Sequence, residues 1–454
     1  MNYTPCGTRV ARALCSILLA PFFPLCGYNH HTPVFSWQIP LTAPARSTHN
    51  RVLVPLGIGL ALSLFGDATL YTVLARPEIA AQAGVTLAMV GLLLGINRFV
   101  RILFNGPAGL LYDRLPRRQL MVASLAVGAL STLLYALVSG PLGMLIARAL
   151  WGLAWSGIWI GSSTIALDIS GPDDRGRVNG QLQMWFYLGV AVTSFAGGLF
   201  TDLFGYRGGL WVSTGLSLLG VLVWLRFLPE TRPPAQPYQP RPRRRRLRKP
   251  PFPWRTALKT SLPLFVMRFV FAGVLNATTI LWLGQYLDGG LRVGPWFLPL
   301  ATLTGAFVAV RVLVSTLSAP PIGAFSDRIG RRWLVMALLL LAGVGGIYLM
   351  SLPSAGWAVG GALLASLTAG GVPLLAAAVI GDRSTVEQRG RSLGLMYSIS
   401  DLGSALGPPF ALGLIPLIEI GPVYRMAALL YGLAGLAALA WAAREKRAPR
   451  YGIL

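Results

Sequence analysis

Seven ionisable side chains stand inside long apolar runs: Asp67, Arg98, Arg101, Arg148, Arg268, Arg311 and Asp401. A charge in hydrocarbon is costly unless it is paired or faces a wet cavity, so each is a candidate for function. A partly desolvated carboxylate can bind a proton near neutral pH, which makes Asp67 and Asp401 candidates for proton coupling. Arginine stays charged and grips carboxylates and phosphates, so an excess of buried Arg over Asp points to an anion. Asp67 lies one helical turn before Tyr71 and has a second reading, as the permanent partner of an arginine on a neighbouring segment.

All Cys (Cys6, Cys15, Cys26) and all His (His30, His31, His49) fall in the first fifty residues. The rest of the chain therefore has no material for zinc sites, thiol nucleophiles, histidine bases or a disulfide framework. No G-x-x-x-x-G-K-[ST] loop is present, so ATP does not drive the protein directly. Neither an enzymatic activity nor a cofactor or metal is expected.

The elements that must position the seven residues follow from composition. Of 454 residues 54% are hydrophobic and 12% charged, about half the charge of a soluble chain. Apolar segments of about twenty residues, enough to cross a bilayer as helix, lie near 52–75, 85–110, 118–138, 141–168, 180–202 and 208–228. A second set lies near 259–286, 297–323, 333–352, 356–381, 393–417 and 423–443. These twelve spans run continuously rather than alternating, which excludes strands as the crossing elements.

The net charge of +24 would suggest nucleic acid in a soluble protein. Here it reads as topology. Loops after even-numbered spans and the tail 444–454 hold most of the Lys and Arg, while the opposite loops hold Arg76, Arg207, Arg292 and Arg425. By the positive-inside rule both termini are cytoplasmic, in what is expected to be a bacterial cytoplasmic membrane. Residues 229–258 form a Pro- and Arg-rich linker; its run Arg243–Lys249 is expected to touch anionic lipid headgroups rather than nucleic acid. Residues 1–50 match nothing that follows and read as a disordered or mis-started extension.

The spans repeat. Asn97–Val122 aligns with Arg311–Met336 at an offset of 214, nine of 26 positions matching without a gap. The same offset pairs Asp168 with Asp382, Arg175-Gly176-Arg177 with Arg389-Gly390-Arg391, and Gly189 with Gly403. Charged loops kept in register mean two parallel six-helix halves, 51–228 and 259–443. Within the repeat, Gly109-Leu110-Leu111-Tyr112-Asp113-Arg114-Leu115-Pro116-Arg117-Arg118 resembles the signature loop of the major facilitator superfamily, G-x-L-a-D-R-x-G-R-R. Gly323-Ala324-Phe325-Ser326-Asp327-Arg328-Ile329-Gly330-Arg331-Arg332 resembles it too. The first copy has Pro116 where the family has Gly. The resemblance, over about 51–443, implies an all-α membrane protein of twelve helices in two pseudo-symmetric bundles. It also implies that these loops latch the halves in the outward-facing state.

Arg148 opens a segment resembling the family's R-x-x-x-G motif of span 4, which the resemblance implicates in proton transfer. Trp151, Trp155 and Trp159 flank the same helical stripe. Arg98, Arg101 and Asn105 share one face of span 2, and Thr304, Arg311 and Ser315 one face of span 8; both faces are expected to point into a central cavity, with Arg268 and Asn276 from span 7. Span 5 keeps only the outer glycines, Gly189 and Gly197-Gly198, of the family's antiporter pattern, and the Gly-Pro appears in span 11 as Gly407-Pro408. The expectation is a monomeric alternating-access carrier, driven by protons, that exports a small amphipathic molecule. Carriage of an organic anion is the alternative, and a non-transporting sensor on the same scaffold is the reading from another class.

Overall fold

A computed structural model describes residues 44–171, 174–232, 253–287, 289–383 and 386–444. Most of the extension 1–50, the core of the linker with Arg243–Lys249, and all but the first residue of the tail lie outside the described residues.

Helices α1 (Pro44–Ser63) and α2 (Phe65–Val73) make span 1, followed by a short α3 (Pro77–Gln82). Spans 2 to 4 are α4 (Leu87–Arg114), α5 (Arg117–Leu137) and α6 (Pro141–Ile169). Spans 5 and 6 run on as α7 (Arg175–Phe227), broken at Gly205, whose φ of 75° and ψ of 172° no helix contains. Span 7 is α8 (Trp254–Met267), a π-helical stretch (Arg268–Leu275) and α9 (Asn276–Gly284). Spans 8 to 12 are α10 (Leu300–Ile329), α11 (Arg332–Met350), α12 (Ala355–Arg383), α13 (Val386–Ile418) and α14 (Ile420–Ala443). Among the described residues eleven helices are long and apolar enough to cross a membrane, and the break at Gly205 divides one of them to give twelve crossings. The expected fold is what the chain adopts.

One element departs from expectation. Residues 297–299, read as the start of span 8, belong to an antiparallel hairpin, β1 (Gly290–Val293) with β2 (Trp296–Pro299), between spans 7 and 8. Val293 pairs with Trp296, leaving a two-residue turn in which Gly294 takes φ 60°. That turn needs a left-handed first residue, and glycine supplies it without a Cβ clash.

Helix ends follow local chemistry. Thr86 accepts from the Met89 amide at 3.3 Å and caps α4. Pro141 opens α6, where its missing N–H costs nothing. At the other ends the two signature loops differ. Gly330 closes α10 at φ 68°, a left-handed cap. Pro116, at the matching place, sits at φ −59° and cannot adopt that cap. The first loop consequently offers Arg117, not the offset-matched Arg118, to the acid at the end of span 4.

The halves meet through spans 2 and 11 and through spans 5 and 8. A Cβ added at Gly91 would lie 2.7 Å from the Pro408 carbonyl, and one at Gly95 or Gly198 would collide with the Ala405 or Ala301 carbonyl. Small residues let these backbones touch. All three glycine contacts sit toward the end away from Asp113 and Asp327, here called the far end. Toward the loop end of these helices, a Cβ added at Gly106, Gly109 or Gly180 would have no neighbour within 4 Å. The backbone contact between the halves lies at the far end.

Candidate functional site

Three arginines converge on one carboxylate between the halves. Arg268 Nη1 donates to Asp401 Oδ1 at 2.8 Å, and Arg101 Nη2 lies 3.6 Å from Oδ2. Arg98 Nη1 donates to Ser404 Oγ at 3.1 Å, one turn along span 11. Arg98 and Arg101 come from span 2 of the first half; Arg268 and Asp401 come from spans 7 and 11 of the second. The cluster therefore straddles the boundary that alternating access must open. Nε of Arg98 and of Arg101 are buried without an acceptor. Three positive charges against one negative, with unmet donors, is a site short of an anion.

Local backbone helps to build it. The π-helical stretch of span 7 starts at Arg268, and its widened turn lets Gly273 come against Gly407 of span 11. Single π turns of this kind concentrate at functional sites. Asn276 lies at its end, half-buried; Asn105, a turn beyond Arg101, is also half-buried.

The first half holds a separate, neutral pair. Arg148, fully buried, bonds Asp67 Oδ1 at 2.5 Å through Nη1 and the Leu93 carbonyl at 2.9 Å through Nε. The rings of Tyr71 and Tyr135 face its guanidinium at 5.6 and 5.9 Å, and Tyr71 donates to the Leu94 carbonyl at 2.7 Å. Asp67 is thus held as the ion pair that was its second reading. Its side chain keeps 18% exposure where Arg148 has none.

The tryptophan stripe packs inside the half. Trp151 is buried against Gly128 of span 3. Trp155 stacks on Trp159 at 6.0 Å, and both meet Phe186 of span 5 at 5.8 and 5.1 Å. The polar face of span 8, expected to point into the cavity, turns into its own half. Thr304 is buried and bonds the Leu300 carbonyl within its helix, Arg311 meets Thr279 of span 7, and the Ser315 carbonyl packs on Gly370 of span 10.

The signature loops pair within halves. Arg332 bonds Asp382 at 2.5 Å and Asp327 at 2.8 Å. Arg117 bonds Asp168 at 3.1 Å, while the Asp113 carboxylate is exposed and meets no partner among the described residues. Arg331 donates to the Ala442 carbonyl at the end of span 12. The start of the linker is tied to the first loop. Glu230 accepts from the Arg117, Arg118 and Arg232 amides at 3.0, 3.1 and 2.9 Å, and Arg232 bonds the carbonyls of Arg114 and Asp113. Burial pushes the Glu230 carboxyl up, but these amides outweigh it and hold it below its ordinary value.

Two contributors escaped sequence reasoning. Ser404 is an ordinary polar residue of span 11. Asp202, at the end of span 5, bonds Thr302 of span 8 across the halves; an acid near a span end was the available signal.

Twelve crossings in two repeated halves, with an ionised cluster between them, define an integral membrane carrier architecture. The profile of the Major Facilitator Superfamily matches residues 56–315 and 300–452, and the chain belongs to that family, whose members are transporters. It is 28% identical to the inner membrane transport protein YnfM of Escherichia coli (strain K12) over 262 residues, 56% of this chain and 58% of that one. It is 34% identical to the class C tetracycline resistance protein of Escherichia coli over 134 residues, 30% of this chain and 33% of that one. These matches span less than two thirds of either relative. Among solved structures, a bacterial homologue of the human lysosomal transporter Spinster, inward-facing and unoccupied, superposes with a TM-score of 0.66 at 19% identity, covering 88% of this chain and 96% of that one. The nucleoside transporter NupG gives 0.67 at 14% identity, covering 87% and 99%. Both share the fold.

Proposed function

We propose that the protein is a proton-coupled carrier of a small organic anion. The observation that supports this reading best is the cluster of Arg98, Arg101 and Arg268 around the single carboxylate of Asp401. Arg268, with 26% of its side chain exposed against 13% for Arg101, is the first of the two that an entering anion meets. It then competes with Asp401 for Arg101. Because Arg101 and Arg268 belong to different halves, an anion bridging them can accompany the halves through the alternation.

The sign of proton coupling follows from the same geometry. A proton on Asp401 removes the charge that competes for the arginines, so proton and anion favour each other's binding. By linkage the preference is reciprocal. Two ligands that reinforce each other on one carrier travel together, which makes symport the expected mode. The loop end, with its arginines, is assigned to the cytoplasm and the carrier to a bacterial cytoplasmic membrane, acting as a monomer.

Proton-driven export of an amphipathic compound is the second reading. It is favoured by the Arg148 motif, by the Trp155–Trp159–Phe186 array and by the similarity to the tetracycline resistance protein. Proteoliposomes separate the two. Labelled mono- and dicarboxylates should accumulate when the outside is acidic, and Arg268→Gln should lower that uptake by about tenfold or more. Uptake of no anion, with proton-driven movement of neutral or cationic compounds instead, would discard the anion reading.

A further inference from the structure

Among the described residues each half buries one arginine completely, Arg148 and Arg311, and only one of the two has a counter-ion. Arg148 has Asp67. Arg311, 1% exposed, has no carboxylate within 4 Å among the described residues. Its Nη1 donates to Thr279 Oγ1 at 3.2 Å, while Nε and Nη2 are buried and find no acceptor. Nε and Nη2 form the side edge of the guanidinium, the edge that offers two parallel N–H groups to one anion.

The surroundings fix what can sit there. The faces of the guanidinium are covered by Phe271 at 4.5 Å and Phe307 at 6.0 Å. Ring faces attract the cation but accept nothing from N–H groups in its plane. Among the described residues the ionisable groups that face Arg311 are the phenols of Tyr424 and Tyr431; they bond Thr278 at 2.8 Å and Thr368 at 3.1 Å, and neither accepts from Arg311. Thr279 spends its own proton on the Leu275 carbonyl at 2.6 Å. Arginine does not escape the cost of burial by losing its proton. An external acceptor remains. Thr279, Tyr424 and Tyr431 are all buried to within 2%, so the enclosure suits a single ion rather than an organic substrate.

We propose that the second half carries a small-anion site on the Nε–Nη2 edge of Arg311, taking chloride or an ion of its size. It is distinct from the Asp401 cluster and does not rest on the transported anion. The occupant would serve the second half as Asp67 serves the first, as a counter-ion, here an exchangeable one.

The test is thermal unfolding of the purified full chain in chloride against gluconate at constant ionic strength. Chloride should raise the midpoint saturably, by about 3 °C or more well above its Kd. Arg311→Met should abolish the increment, whereas Arg101→Gln should keep it. No chloride dependence, or the same dependence in Arg311→Met, would overturn the site. If Arg311→Met does not fold, bromide-soaked crystals decide: an anomalous peak beside Nε and Nη2 supports the site, and its absence removes it.

Discussion

Asp202 caps the first turn of span 8 from the other half: its Oδ2 accepts from both the amide and the hydroxyl of Thr302, each at 2.6 Å. Span 8 has no cap of its own, because Pro299 at its N-cap position offers no acceptor side chain. Free amides at a helix start attract a carboxylate, and here it comes across the seam that closes the far end. The bond exists only while spans 5 and 8 stay together. Asp202→Ala should therefore shift the population toward far-end opening. Two charge-assisted bonds at a half-exposed place are worth about 1–2 kcal/mol in total, close to tenfold in the equilibrium. Labelling of a cysteine placed at Ala301 should rise accordingly; unchanged labelling would mean that the backbone contacts alone hold the gate.

The Asp67–Arg148 pair makes a different prediction. Removing one member of a buried pair strands the other charge, at a cost of about 3–5 kcal/mol. Asp67→Asn should lower the unfolding midpoint sharply. The double variant Asp67→Leu with Arg148→Met, apolar and similar in volume, should recover most of that stability. If the pair also carries protons, the double variant will be stable and still fail to respond to a pH gradient. A stable double variant with normal proton-driven transport would reduce the pair to scaffolding.

The cluster around Asp401 predicts the behaviour of Asp401→Asn. With the competing carboxylate neutral, the arginines are permanently available. Anion affinity should rise, and the stimulation of transport by an inward proton gradient should fall to about a tenth or less. Binding measured by calorimetry at pH 6 and pH 8 should converge in the variant and differ in the wild type. Weaker anion binding in Asp401→Asn would contradict the competition on which the symport sign depends.

How much of this could be read beforehand differs by level. The twelve crossings were legible because hydrocarbon demands length and unbroken apolarity, and both are local properties. The two-half organisation was legible because charged loops recur at one offset. Which way a helix face points was not. Arg98 and Arg311 look alike in sequence, each on a polar stripe, yet Arg98 reaches Ser404 across the halves and Arg311 turns into its own half. Helix rotation depends on packing partners far away in the chain, and apolar surroundings leave no periodic signal to set it. The π turn starting at Arg268, which shifts the register of span 7, has no composition signature either. The Pro116 departure was visible, and its consequence, the exchange of Arg118 for Arg117 at the acid, needed the backbone angles of both loops.

Gly330 should tolerate substitution poorly. Its φ of 68° costs an L-residue about 1–2 kcal/mol, and Arg332 just beyond it bonds both Asp327 and Asp382. Gly330→Ala should lower the unfolding midpoint and loosen that three-residue contact. Pro116→Gly in the other loop should instead permit the left-handed cap and let Arg118 replace Arg117 at Asp168. Hydrogen exchange at the starts of spans 3 and 9 compares the two; equal effects would show that the left-handed cap is not what sets the second loop.

Glu230 gives the last prediction, one of pH. Its carboxyl is held below the ordinary value of 4.5: burial pushes it up, but the amides of Arg232, Arg118 and Arg117 prevail. A lowered carboxylate contributes stability that is complete above the ordinary value and fades as pH falls through the lowered one. The tie between the linker's first residues and the loop at span 3 should therefore be constant from pH 8 to about pH 5 and loosen only in stronger acid. Glu230→Gln removes the charge at every pH. Amide exchange at Arg117 and Arg118, corrected for intrinsic rates, should be faster in the variant at pH 7 and should approach the wild type below the lowered value. A wild-type tie that loosens between pH 7 and pH 6 would assign the switch to another group. A variant with unaltered exchange at pH 7 would show that Arg232, through the Arg114 and Asp113 carbonyls, holds the segment without Glu230.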